Sequence, residues 1–404
     1  MSLVIRCVDI STSPIEVSVS EFLLEFLKVD DTTGLGLFGV LQEILVSLQL
    51  YIGDLRGQGY DNGSNMKGKN KGVQTRVLEV NPGAFYTPYG CHSLNLVLCD
   101  MANSCSKTKT FFRVVQRLYV LFASSIPRWA ILKNNLKDVK SLPLKSYSQT
   151  RWESRIESIK PIRYHPSKLR DALVDLANDT KESIAQSEAK SLVKHKLENF
   201  EFLFAMAIWY KLFVVNTVSK FLQSEDMHID LAIERLKGLI DYFENYKKVG
   251  FVEAMVGATE MANEIGIELE FVEKCIIQRK KQFDQDVSEE VTHSTEESMK
   301  VNYFLAIMDK ALSSFKDRFQ QFEVYKKNFG FLFDLEMVSN IDGRDLAMEL
   351  KCLKQVLPRG VQKPIEVLNF IKLLADSFSN AWNTYRVLLT IPISVATGNE
   401  AFQY

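Results

Sequence analysis

The 404-residue chain has almost no net charge: 49 Lys and Arg against 50 Asp and Glu leave −1 at pH 7. No global basic field advertises nucleic acid, so any such contact must come from local patches. Cysteine is sparse, at positions 7, 91, 99, 105, 275 and 352. No Cys-x-x-Cys pair occurs, which argues against a zinc ribbon or a thioredoxin-like site and fits a reducing compartment. A basic start followed by a long apolar stretch is missing, so no signal peptide is expected. The most apolar run, "FLFAMAIWYKLFVVN" at 202–216, is broken by Lys211. It falls short of the roughly 18–20 uninterrupted apolar residues that a membrane span needs and reads as a buried helix. No fixed-period repeat points to a solenoid.

What is present is an ordinary globular composition, 46% hydrophobic and 25% charged, long enough for two or three domains. Residues 1–105 read as mixed α/β. "LVIRCVDI" (3–10) is β-branched and apolar, as a strand requires. "IEVSVSEFLLEFLKV" opens as an alternation and closes with helical spacing, and "GLFGVLQEILVSLQL" (36–50) is helical in period. "IGDLRGQGYD" reads as a strand with a glycine-rich exit. "KGVQTRVLEVN" is a helix stopped by Asn81-Pro82-Gly83, and "AFYTPYGCHSLNLVLCDMA" starts extended and turns helical near His92. From about Lys107 the chain is expected to be almost wholly helical, with "PIEVLNFIKLLADSFSNAWNTY" as one of the helical segments. The acidic 284–300 segment is expected to be a mobile loop.

One short stretch, "RGQGYDNGSNM" (56–66), raises a chemical question. Asp61 stands among three glycines after a strand. It can be a carboxylate placed for metal chemistry, or an Asp-Asn-Gly turn, which fits "YDNG" well by itself. Gly57, Gly59 and Gly63 would let backbone or nucleic acid approach closely. A phosphate-cradling loop is disfavoured, because "KGKNKG" lacks the Gly-Lys-Ser/Thr ending.

The stretch from Arg56 to Asp100, with "SQTRWESRIESIKPIRY" (148–164) and "LLTIPISVATGNEAF" (388–402), resembles the hAT-superfamily transposases. The branch is that of zinc finger MYM-type protein 1-like and TTF-type zinc finger proteins. The resemblance runs over essentially the whole chain. It implies an incomplete RNase H-like α/β core at 1–105, a large all-helical insertion domain at 106–375, and a return to the core with the start of a dimerisation region at 376–404. That family cuts DNA with three acidic residues holding divalent metal. Two hard cations about 4 Å apart activate the attacking oxygen and stabilise the leaving one.

Carried over by the motifs, Asp61 matches the second acidic residue. The first would lie upstream of the segment matching "MSLVIRCVD", and Asp9 is not its equivalent. At the third position an ungapped match to Phe402 places Asn399, with Glu400 one residue on and roughly 100° away around a helix. His92 matches the histidine of a Cys-x-x-His pair whose cysteine is Tyr89 here, and a packed or hydrogen-bonded histidine is the alternative. Trp152 matches a tryptophan that stacks on an extruded base, against a packing role with Ile156 and Ile159. Arg151, Arg155 and Lys160 could meet phosphates or form a solvated helix face.

The resemblance thus implies a nuclear, transposase-derived protein truncated at both ends and without strand-cutting activity. DNA is a possible partner, and a homodimer is possible in the full-length family; a membrane or a small-molecule substrate is not expected. No cofactor is assigned, and Mg or Mn enters only with a complete catalytic site in a longer chain. The alternatives are a fragment of an active transposase and a domesticated nuclear interaction or regulatory protein.

Overall fold

The structure, a computed structural model, describes residues 1–10, 16–61, 63–68, 70–136, 144–146, 148, 152–224, 229–271, 294–332, 344–361 and 363–392. The chain is mixed α/β with mostly helical content and divides into two compact units. Unit 1 takes Met1–Leu94, Val218–Gly238 and Lys316–Tyr404; unit 2 takes Asn95–Thr217 and Leu239–Phe315. Sequence reading placed divisions at 105/106 and 375/376. The compact units change at 94/95, 217/218, 238/239 and 315/316, and the segment from Lys316 belongs to the unit that holds the strands.

In unit 1, strand β1 (Ser2–Asp9) pairs antiparallel with strand β2 (Ser18–Phe26). The helical ending expected within 15–29 does not form, since β2 continues as a strand through Phe26. Ladder pairing along β1 satisfies its backbone groups and outweighs the local helical spacing. Directly opposite one another in this ladder, Arg6 and Glu21 form an ion pair at 2.9 Å, each about 11% exposed. The Arg6 Nε also donates to the Leu389 carbonyl at 2.9 Å, so its guanidinium ties the strand pair to the end of a helix distant in sequence.

Strands β3 (Gly57–Tyr60) and β4 (Phe85–Pro88) pair in parallel. Parallel neighbours need a crossover, supplied here by the Ser64–Lys67 and Val73–Val80 helices. Under these elements lies a core of Leu37, Phe38, Leu41 and Leu45 from the Gly34–Ser47 helix, packed with Val73, Val77 and Ala84. The Thr33 hydroxyl caps that helix by accepting from Gly36 N at 3.2 Å. On β4, Phe85 meets Tyr325 and Phe329 edge-on, with ring centroids 6.0 and 5.7 Å away.

Near the C-terminal end, the helix expected to run through 364–385 is two helices, Pro364–Ile371 and Ser379–Thr390. The second has its own N-terminal anchor: the Glu349 carboxylate accepts from Ala381 N at 2.8 Å and Asn380 N at 3.3 Å. A carboxylate at a helix N-terminus satisfies orphan N–H groups and the dipole together. This one comes from the Arg344–Val356 helix, so local sequence does not announce it.

The described secondary structure of unit 2 is all helical. The Phe200–Lys211 helix is its centre, buried continuously from Phe202 to Trp209. Asn199 caps it by accepting from Phe202 N at 3.2 Å. By length and composition the Phe200–Phe221 stretch could cross a membrane, yet 61% of its apolar window is buried among other helices. The Trp209 indole meets Phe112 edge-on at 4.9 Å and donates to the Tyr303 hydroxyl at 3.1 Å. Of the acidic 284–300 segment, 284–293 lies outside the described residues. Its later part is a helix, Thr295–Met299, capped by Ser294, and not a loop.

Candidate functional site

Asp61 follows β3 directly and is exposed. Its Oδ1 accepts from Gly63 N at 3.0 Å. This is the geometry of an Asx turn, in which the side chain takes the place of a backbone acceptor. The neighbouring strand positions carry phenols. Tyr60 and Tyr86 stack at 6.0 Å between centroids, and the Tyr60 hydroxyl donates to Gln58 Oε1 at 2.8 Å. Gln58 is buried and in turn donates to the Ala84 carbonyl at 2.9 Å. Tyr89 N donates to the Tyr60 carbonyl at 3.2 Å, which holds the start of the Gly90–Ala102 helix beside Asp61's strand.

The electrostatics follow from that packing. Burial pushes the phenol of Tyr86 well above the ordinary tyrosine value, and the Asp61 charge adds to it. Burial also raises Tyr89, helped by Tyr60, Glu21 and Asp61. Two carboxylates on different strands therefore act on one phenol. Glu21, however, is already paired with Arg6. The site is a wall of neutral phenols behind one exposed carboxylate.

A divalent metal centre needs several oxygen ligands at one point. Among the described residues no group of three His, Cys, Asp or Glu side chains could hold a metal ion. One Asp61 oxygen is engaged by Gly63, and Asn399 lies outside the described residues. The described side chains alone do not fit a two-metal site. His92 occupies the first turn of the Gly90–Ala102 helix, half-buried, and none of the described contacts joins it to Asp61. The adjacent Cys91 thiol is pushed up by burial, which disfavours the thiolate a metal would require.

Of the close approaches expected at the glycines, the structure shows that of the chain itself at Gly57 and Gly59. A Cβ on Gly59 would lie 2.8 Å from Pro392 Cγ and 3.0 Å from Tyr89 Cε1; one on Gly57 would lie 2.9 Å from Pro392 Cδ. The hydroxyl of Thr87 donates to the Pro392 carbonyl, fixing the same segment on β4. Residues 390–392 thus press on the paired strands, and glycine is what makes room for them.

The basic group expected at 151–160 does not assemble from its described members. Arg155 is 6% exposed, with its guanidinium 4.8 Å from the centre of the Phe112 ring. A cation desolvated on an aromatic face is stabilised there and is withheld from phosphate. Lys160 is paired with Glu157 at 2.5 Å. Arg151 lies outside the described residues, as does the side chain of Trp152, whose backbone begins the Trp152–Tyr164 helix. Ile156 and Ile159 on this helix are fully buried. Arg155→Met is expected to lower unfolding stability by about 2 kcal/mol, the scale of a desolvated cation on a ring. Affinity of the folded variant for hairpin DNA should not change. A weaker affinity with unaltered melting would return Arg155 to a phosphate-contacting role.

Residues 1–72 match one family model. Its description is DUF4371: ZMYM1/FAM200, RNase-like domain. The matched segment contains β1, β2, β3 and Asp61. This similarity supports the transposase-like family indicated by the motifs. The residues that the sequence reading missed are Gln58, Tyr86, Glu21 and Pro392. Gln58 and Tyr60, two apart on a strand, were a signal for a shared face. Pro392 had none, because its partner is more than 300 residues away.

Proposed function

We propose that this chain derives from a hAT-type transposase and keeps the scaffold of its RNase H-like domain without a working strand-cutting centre. The observation that carries this reading is the match of residues 1–72 to an RNase-like domain, with Asp61 at the end of a strand inside it. Strand pairing is consistent with such a core: an antiparallel pair, then a parallel pair joined through helices. The order of the segments also supports an insertion, since unit 2 interrupts unit 1 twice along the chain. What opposes catalysis is chemical. Asp61 belongs to no group of three metal-ligating side chains among the described residues, and one carboxylate does not hold two metal ions. Residual function is then binding, to DNA or to protein, in the nucleus.

The test is strand cleavage. The purified chain, given hairpin DNA with Mg²⁺ or Mn²⁺, is expected to leave the strands uncut. Asp61→Ala should leave stability within about 0.5 kcal/mol, as for exposed positions generally. Metal-dependent cleavage that Asp61→Ala abolishes would overturn the inactive reading and establish Asp61 as a ligand.

A further inference from the structure

Unit 2 carries an open pocket of about 330 Å³ that the transposase reading does not use. Its floor is apolar and aromatic: Phe111, Phe202, Met299 and Tyr303 line it and are buried. Its ionisable lining is mainly basic, with Lys107, His195 and Lys196 against the single acid Glu201. The charges are not equivalent. Lys107 Nζ lies 3.6 Å from Glu201 Oε2 and 2.7 Å from Met299 Sδ, so its charge is offset and its position held. Among the described contacts no acid is paired with His195 or Lys196. The lining therefore keeps a positive excess beside an aromatic floor.

Backbone geometry converges on the same place. Among the described residues the helical segments contain two wide turns of π type, Val193–Leu197 and Lys300–Leu305. The first supplies His195 and Lys196 to the cavity, and the second, which starts directly after Met299, supplies Tyr303. Such turns have poorer hydrogen-bond geometry than the α-helix around them and recur at functional sites, where they re-aim side chains. In addition, two long helices begin here. Ser106 and Lys107 open the Ser106–Ala123 helix, and Asn199 and Glu201 flank the start of Phe200–Lys211. Helix starts carry partial positive charge and favour anions.

We propose that this cavity binds a small aromatic anion, with its ring on Phe111 and Phe202 and its carboxylate toward Lys196 and His195. A volume at the lower end of the range for ligand pockets suits one or two fused rings, and an apolar floor with a few convergent charges is the usual design of such sites. The offset Lys107–Glu201 pair fixes the floor's edge, and Lys196 supplies the net charge.

The experiment is calorimetric titration of the full chain with 1-naphthoate, and with neutral 1-naphthalenemethanol as its uncharged counterpart. Saturable one-to-one binding of the naphthoate is expected, at least about tenfold tighter than the alcohol. Lys196→Glu reverses the rim charge, and Thr110→Trp places a ring from an exposed lining position into the mouth. Each should weaken naphthoate about tenfold or more while circular dichroism stays unchanged. No saturable binding up to about 1 mM would overturn the proposal. So would equal affinity for acid and alcohol, a comparison that needs no variant and therefore stands even where a substitution disturbs folding.

Discussion

Replacing Trp209 with alanine is expected to destabilise the helical unit by about 3–5 kcal/mol, a large share of the stability of any domain. The indole is fully buried in the last turn of the Phe200–Lys211 helix. Its loss removes the edge-on contact with Phe112 and leaves a space bounded by aromatic rings that pack among themselves and do not collapse freely. It also takes a donor from the Tyr303 hydroxyl, in a place where burial already pushes that phenol far above its ordinary value. Trp209→Phe separates the two effects. It keeps most of the volume but loses the N–H and part of the bicyclic ring, so it should cost about 1–3 kcal/mol. Denaturant titration of both variants, followed by fluorescence and circular dichroism, checks this. A Trp209→Ala midpoint close to that of the parent would mean that the unit is centred elsewhere.

The second large effect is expected at Gly59. Valine there must displace the Pro392 ring, which lies 2.8 Å from the first carbon added, and the Tyr89 ring at 3.0 Å. A proline ring cannot swing aside as a flexible side chain can. Overpacking of this kind costs about 1–3 kcal/mol. The change should also detach residues 390–392 from β3 and β4, since Thr87 holds the same carbonyl. Hydrogen exchange then provides a local readout: the Ile391 and Tyr89 amides should lose protection ahead of the rest of unit 1. If Gly59→Val melts with the parent and exchange is unchanged, the strand does not need glycine, and close approach of another molecule becomes the better account of the motif.

Both predictions bear on what could be read in advance. The glycines of "RGQGYDNG" correctly announced that something comes close. They did not say what. Open approach of nucleic acid and contact with a remote segment of the same chain ask the same thing of the residue, namely no Cβ. Only the packed structure distinguishes them. Arg155 shows the same ambiguity. An arginine in a helix with charged neighbours reads as solvated, whereas its planar guanidinium suits a ring face as readily as a phosphate.

Elements with a strong local pattern formed where the pattern placed them. β1, the Gly34–Ser47 helix, the stop after Val80 and the extended start before His92 all follow from side-chain period and turn chemistry. The exceptions share a cause. β2 stays extended through Phe26 because β1 pairs with it, and the chain breaks after Ile371 where Glu349 caps a new helix. In both cases a partner from another element satisfied backbone groups that the local spacing would have placed in a helix. The segment from Lys316 groups with the strands through equally remote contacts, as the aromatic side chains of Tyr325 and Phe329 pack on Phe85 of β4.

By itself the sequence determined the alternation of strands and helices at the start, the helical remainder, the buried nature of the 202–209 run, and the motifs that led to a transposase-like family. These depend on neighbours within a few turns, where period and propensity act directly. Tertiary structure alone decided that a wall of buried phenols stands behind Asp61, that Arg155 is withheld from solvent, and that two π turns meet at one cavity. Those outcomes rest on contacts between residues tens to hundreds of positions apart. No local pattern encodes them, because the free energy that selects them appears only when the remote surfaces are packed together.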